Sequence, residues 1–138
     1  MSLDVILDRH KACEGALLPI LNDVQAEFGF VSNDAMRAIA LALNLSRAEV
    51  YGVVSFYHDY RTSPAAHPVI KLCRAEACQA RGVEALVADA EALAKGRVEI
   101  ESVYCLGLCS VGPAAMIGHA VHARLDAVKL GALIEAAA

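Results

Sequence analysis

Apolar residues recur with helical spacing through the first sixty positions. Leu17, Leu18, Leu21, Val24 and Phe28 share one face, Pro19 falls in the tolerated first turn, and Gly29 is placed to stop the helix. Ser32 can cap a second helix carrying Met36, Ile39, Ala40 and Leu43, ending near Asn44. Ser46 and Glu49 form an S-x-x-E capping box that opens a third, with Val50, Val53, Val54 and Tyr57 along it. A weaker helix covers 3–11. The short connections predict a small antiparallel helical bundle.

The pattern changes at 61–68, where Pro64 and Pro68 flank Ala65, Ala66 and His67 and read as a linker. Beyond it the periods alternate. A short apolar run at 69–72 ends at Cys73. A helix follows at 83–95 with Val83, Leu86, Val87, Ala90, Leu93 and Ala94 on one face, ended by Gly96. A strand-like segment at 98–104 ends at Cys105. Residues 114–117 and 120–121 are predicted to pair as a hairpin across Gly118 and His119, and a last helix covers 125–137. The expected fold class is α+β, with a helical bundle at 1–63 and an α/β domain of β-α-β-β-β-α order at 64–138.

Composition narrows the class. The chain is 138 residues long, 57% apolar and 20% charged, which suits packed cores and not a disordered chain. A net charge of −4 without a basic run argues against nucleic acid. No apolar run reaches the roughly 18 residues of a membrane span. The first residues show neither a basic n-region nor an Arg-rich transit pattern. The expectation is a cytoplasmic protein without membrane insertion, in a compartment that disfavours structural disulfides.

Candidate chemistry concentrates in four cysteines. Cys73 and Cys78 form a C-x4-C pair, and Cys105 and Cys109 form C-x3-C. Each pair follows a strand end, where loops of α/β sheets converge on ligands. Two parallel neighbouring strands would bring all four thiols together. A [2Fe–2S] cluster needs two thiolates per iron, and two such loops supply them. Gly107 and Gly112 would let the backbone come close to the sulfides. Zinc stays open as the alternative, although neither pair has the C-x2-C spacing usual for structural zinc. Rieske ligation by His119 and His122 is unnecessary with four cysteines present, so these histidines are expected to face solvent or be satisfied locally. Cys13 is expected to be an inert, partly buried thiol.

Several catalytic arrangements are missing. Residues 107–112 match G-x4-G without the following Lys-Ser/Thr of a phosphate loop. There is no G-x-G-x-x-G after a strand, no nucleophile elbow and no H-E-x-x-H. No catalytic residue is therefore expected in this chain. Arg74, Glu76 and Arg81 are expected to be solvated, with at most a minor contribution from either arginine to the cluster's potential or to docking. Tyr51, Phe56, Tyr57 and Tyr60 are expected to pack between the two halves, or alternatively to form a contact surface for a partner.

With these residues placed, the chain resembles a known family over nearly its whole length. The stretches are LLPILNDVQAEFGF at 17–30, VYGVVSFYHDY at 50–60, CRAEAC at 73–78 with Gly82, and CLGLCSVGPAAM at 105–116. They are similar to the complex I 24-kDa subunit family, and most to the gamma subunit of soluble NAD-dependent formate dehydrogenases. The resemblance implies a thioredoxin-like second domain and one [2Fe–2S] cluster held by Cys73, Cys78, Cys105 and Cys109. It also implies an electron-transfer role beside a flavin-bearing partner. FMN, NAD and a [4Fe–4S] cluster would sit in that partner, and a pterin metal cofactor in a further catalytic dehydrogenase subunit.

Overall fold

The structure, a computed structural model, describes all 138 residues. The chain divides into two compact units, Met1–Ala65 and Ala66–Ala138.

The first unit contains α1 (Leu3–His10), α2 (Leu17–Phe28), α3 (Asn33–Leu43) and α4 (Arg47–Phe56). Local chemistry sets their ends. Gly29 takes a left-handed conformation (φ 77°) that stops α2, and Asn44 does the same for α3 (φ 52°). The Ser32 hydroxyl accepts the Ala35 N–H at 3.0 Å. At α4 the capping box is reciprocal: the Glu49 N–H donates to Ser46 Oγ at 3.2 Å, and the Ser46 N–H donates to Glu49 Oε2 at 2.8 Å. The core is built from one face of each helix, with Ile6, Ile20, Leu21, Val24, Met36, Ile39, Val50 and Val54 among its buried side chains. The segment after α4 is tied to α2, where the Tyr60 hydroxyl donates to Asn22 Oδ1 at 2.7 Å and the Gln25 amide donates to the Asp59 carbonyl at 3.0 Å.

The capping box carries a prediction. The Ser46 N–H and hydroxyl hold the Glu49 carboxyl below its ordinary pKa. Its depressed folded value means that this contribution is present above the ordinary carboxylate range and disappears as pH falls through the folded value. Ser46→Ala is expected to cost the helical unit about 1 kcal/mol in urea unfolding at neutral pH. The gap to wild type should narrow on acidification.

The second unit holds β1 (Val69–Cys73), α5 (Glu76–Ala80), α6 (Val83–Ala94), β2 (Glu99–Val103), β3 (Ala115–Ile117), β4 (Ala120–His122) and α7 (Ala127–Ala137). Its sheet has the order β2-β1-β3-β4. β1 runs parallel to β2, with Cys73 opposite Val103, and antiparallel to β3, which pairs antiparallel with β4. Ile70 and Leu72 on β1 are buried with Ala90 and Ala94 of α6 and Leu130 and Ile134 of α7. The expected hairpin is present, its turn helped by Gly118 at φ 56°. The expected last helix begins at Ala127, because Asp126 caps it by accepting the Lys129 N–H at 2.7 Å.

Two elements carry no signal in the sequence: α5, and a 3₁₀ turn at Cys109–Val111. Each is under two turns long, too short for hydrophobic periodicity to register. No helix is long and apolar enough to cross a membrane.

Candidate metal centre

The sheet order places the cysteines. β1 is central, with β2 on one side and β3 on the other. The connection from β2 to β3, residues 104–114, must therefore pass over the C-terminal end of β1. That connection carries Cys105 and Cys109, and the end of β1 is Cys73. Backbone bonds pin the crossing on both sides: the Arg74 N–H donates to the Val103 carbonyl at 2.8 Å and the Cys73 N–H to the Ala114 carbonyl at 2.9 Å. The chain then turns from β1 into α5, whose third residue is Cys78.

The four thiols form two unlike pairs. Cys73 and Cys78 are buried, each 2% exposed, whereas Cys105 and Cys109 are exposed. Cys105 Sγ lies 3.7 Å from Cys109 Sγ and accepts the Gly107 N–H at 3.4 Å. No three His, Cys, Asp or Glu side chains gather in a group suited to a single metal ion. Cys105 is held at φ 96°, a conformation side chains disfavour, and such strain persists where the surrounding structure over-determines it.

Space around the sulfurs has been kept by a glycine. A Cβ added at Gly112 would lie 3.0 Å from Cys78 Sγ and 3.4 Å from Arg81 Cδ. The donor set is thus all thiol, with backbone N–H groups turned toward sulfur and a glycine cradle beside it, which fits an iron–sulfur cluster.

A family model described as thioredoxin-like [2Fe–2S] ferredoxin matches residues 3–138. The chain belongs to that family. Its fold is thioredoxin-like and its cofactor is one [2Fe–2S] cluster, which resolves the choice between iron and zinc that spacing alone left open. Relatives include a subunit of the NADH-quinone oxidoreductase of Rhizobium meliloti, 29% identical over 92% of this chain and 81% of that protein. A subunit of the NADH-quinone oxidoreductase of Escherichia coli is 30% identical, over 87% of this chain and 78% of its own length. The NADP-reducing hydrogenase subunit HndA of Solidesulfovibrio fructosivorans is 29% identical, over 81% and 71%. Among solved structures, an NAD⁺-reducing [NiFe]-hydrogenase in its H₂-reduced state superposes with a TM-score of 0.73 at 29% identity. That match covers 86% of this chain but 21% of the hydrogenase chain.

Electrostatics in this thioredoxin-like ferredoxin set the buried pair apart. Desolvation pushes the Cys73 thiol up, but the N–H groups of Ala75, Cys105 and Leu106 and the Cys78 thiol outweigh it and bring it below the ordinary value. Cys78 is raised, by burial first and then by Cys73. Cys109 is raised by its bond to Cys105 and by the negative charge its neighbour can carry. Of Cys73, Cys78 and Cys109, Cys73 alone is shifted toward the thiolate.

Exposure differs from expectation at several residues. Cys13 is exposed, not partly buried, because α1 ends at His10 and leaves it in a turn. Arg74 is not simply solvated: its guanidinium grips the Glu84 carboxylate at 2.9 and 2.5 Å and reaches Ser102 Oγ at 3.2 Å. Arg81 donates to the Ser110 carbonyl at 3.2 Å. Glu76 and His119 are exposed and His122 is half-buried. Of the four aromatics, Tyr60 alone is half-buried. Phe56 is 73% exposed and meets Tyr57 edge-on at 5.2 Å. Sequence reasoning missed Tyr104, 73% exposed at the start of the second cysteine loop.

The unequal exposure predicts an alkylation order. In the metal-free chain, iodoacetamide should label Cys13, Cys105 and Cys109 well before Cys73 and Cys78, as read by peptide mass spectrometry over time. Equal labelling of all five would contradict the buried placement.

Proposed function

We propose that Cys73, Cys78, Cys105 and Cys109 would hold the cluster, the first pair from the turn after β1 and the second from the 104–114 connection. What supports this is the crossing of the 104–114 connection, with Cys105 and Cys109, over the end of the strand that closes on Cys73. A bound [2Fe–2S] cluster supplies one-electron chemistry, accepting and releasing single electrons. The chain's own residues bind and tune it. The four thiolates would hold the irons, and N–H groups at Ala75, Leu106 and Gly107 favour negative charge on sulfur. The exposed pair, Cys105 and Cys109, is the part of the site a partner could reach.

On this reading the protein is the electron-transfer subunit of a multi-subunit NAD-dependent dehydrogenase. It exchanges single electrons with FMN in a flavin- and NAD-binding partner. A flavin handles hydride as two electrons, and a one-electron carrier beside it lets them leave singly. Formate dehydrogenase is the parent complex suggested by the sequence stretches around the cysteines. A hydrogenase parent is the second reading, favoured by the likeness to HndA and to the NAD⁺-reducing [NiFe]-hydrogenase.

Anaerobic reconstitution with iron and sulfide should give a red-brown chain with about two irons and one rhombic paramagnetic signal on reduction. A colourless chain with stoichiometric zinc would overturn the reading. In the complex isolated with its native partners, signal growth on adding formate, and not H₂, would identify the formate parent. The reverse would identify the hydrogenase.

A further inference from the structure

We propose that Arg81 is a positioning residue that clasps the two cysteine loops together over the cluster site. The proposal rests on the reading that these loops hold a [2Fe–2S] cluster.

Three contacts converge on this one side chain and its backbone. Arg81 caps the C-terminus of α5, where its N–H donates to the Cys78 carbonyl at 3.2 Å. It therefore moves with the helix that carries a buried thiol. Its guanidinium crosses to the second loop and donates to the carbonyl of Ser110, the residue after Cys109, at 3.2 Å. Its stem lies over the open side of Gly112, with Cδ 3.4 Å from where a Cβ would stand. One residue thus touches the support of Cys78, the neighbour of Cys109 and the glycine cradle between them.

The rest of the second loop shows why a clasp matters at this point. From Val111 onward its backbone is anchored: the Val111 carbonyl accepts the Arg124 N–H at 2.7 Å, Pro113 accepts Leu125 at 3.1 Å and Ala114 accepts Cys73 at 2.9 Å. Residues 105–110 precede those anchors, and they carry the two exposed thiols. The N–H groups of Cys105 and Leu106 bond the Cys73 thiol, and the Arg81 bond fastens the stretch between them and Val111, next to Cys109.

Charge adds a second consequence. Arg74 is committed to the Glu84 carboxylate. Arg81 donates to a neutral carbonyl, so that bond leaves its positive charge uncancelled beside a site that gains negative charge on reduction. An arginine here therefore holds the loop and favours the reduced state. A lysine would keep the charge but lose the planar fork that reaches across.

The test uses the full reconstituted chain as wild type, Arg81→Gln and Arg81→Lys. The first readout is the rate of cluster loss to an iron chelator, followed by visible absorbance. The second is the midpoint potential from a titration followed by paramagnetic resonance. Arg81→Gln is expected to lose its cluster about tenfold faster, the scale on which residues supporting metal ligands act, and to have a more negative midpoint. Arg81→Lys should restore the midpoint and only partly restore retention. An Arg81→Gln chain equal to wild type in both readouts overturns the clasp. Faster loss with an unmoved midpoint and a matching drop in the melting temperature of the metal-free chain also overturns it, because the residue would then act through general stability. A wild-type chain that takes up no cluster overturns the ligand reading itself, a result distinct from either.

Discussion

Replacing Cys73 with alanine is expected to leave the chain folded and without iron. Cys73 ends β1, is 2% exposed, and receives the N–H groups of Ala75, Cys105 and Leu106. Alanine keeps the backbone bond from residue 73 to the Ala114 carbonyl, so the strand and the crossing loop keep their register. The structural cost is a small void and N–H groups left without their acceptor, together about 2–3 kcal/mol. The functional cost is larger, because one iron would lose a thiolate that no other residue replaces. Cys13, the remaining thiol, belongs to the helical unit. Wild type should carry about two irons per chain, Cys73→Ala close to none, and Cys13→Ala the wild-type amount. Iron and acid-labile sulfide analysis checks this alongside circular dichroism. A wild-type cluster spectrum from Cys73→Ala would remove that residue from the ligand set.

Much of the fold was legible because short-range rules decide it. Ser32, the Ser46–Glu49 box, Gly29 and Asn44 mark helix ends through bonds and conformations within one turn of chain. The parallel pairing of β1 with β2 is the arrangement that the helix between the two strand-like runs allows. The site was legible as a set of thiols, not as an arrangement. That Cys73 and Cys78 are buried while Cys105 and Cys109 are exposed depends on β1 being central, and a single sequence does not state strand order. Arg81 read as an ordinary surface charge because its acceptor, Ser110, lies 29 positions away. Tyr51, Phe56, Tyr57 and Tyr60 were open to two readings, packing between the halves or a contact surface for a partner, because aromatic rings serve both. Here α4 buries Val50 and Val54 instead and turns its aromatic end outward.

The two glycines beside the cysteines illustrate the same limit, and one of them yields the sharpest test of the site. Gly107 has φ 75° and open space where a Cβ would go, so it is needed for conformation. Gly112 has an ordinary φ of −64° and is needed for room. Gly112→Ala therefore adds no backbone strain, and its effect comes from one methyl group placed 3.0 Å from Cys78 Sγ and 3.4 Å from Arg81 Cδ. Arg81 is long and can shift its stem. Cys78 cannot retreat freely: it is buried on α5, and its Cα is 3.8 Å from the same methyl. A sulfur pushed aside by a few tenths of an ångström leaves its iron poorly held while the thiol itself remains. The expected result is a folded chain with all five cysteines titratable once it is unfolded and stripped of metal, a cluster content well below wild type, and an altered paramagnetic signal from whatever cluster remains. Gly107→Ala should instead strain the Cys105–Cys109 loop, by about 1 kcal/mol or more, without crowding Cys78. If Gly112→Ala binds a full cluster with the wild-type signal, the cradle does not border the metal and the placement of Cys78 against it must be revised.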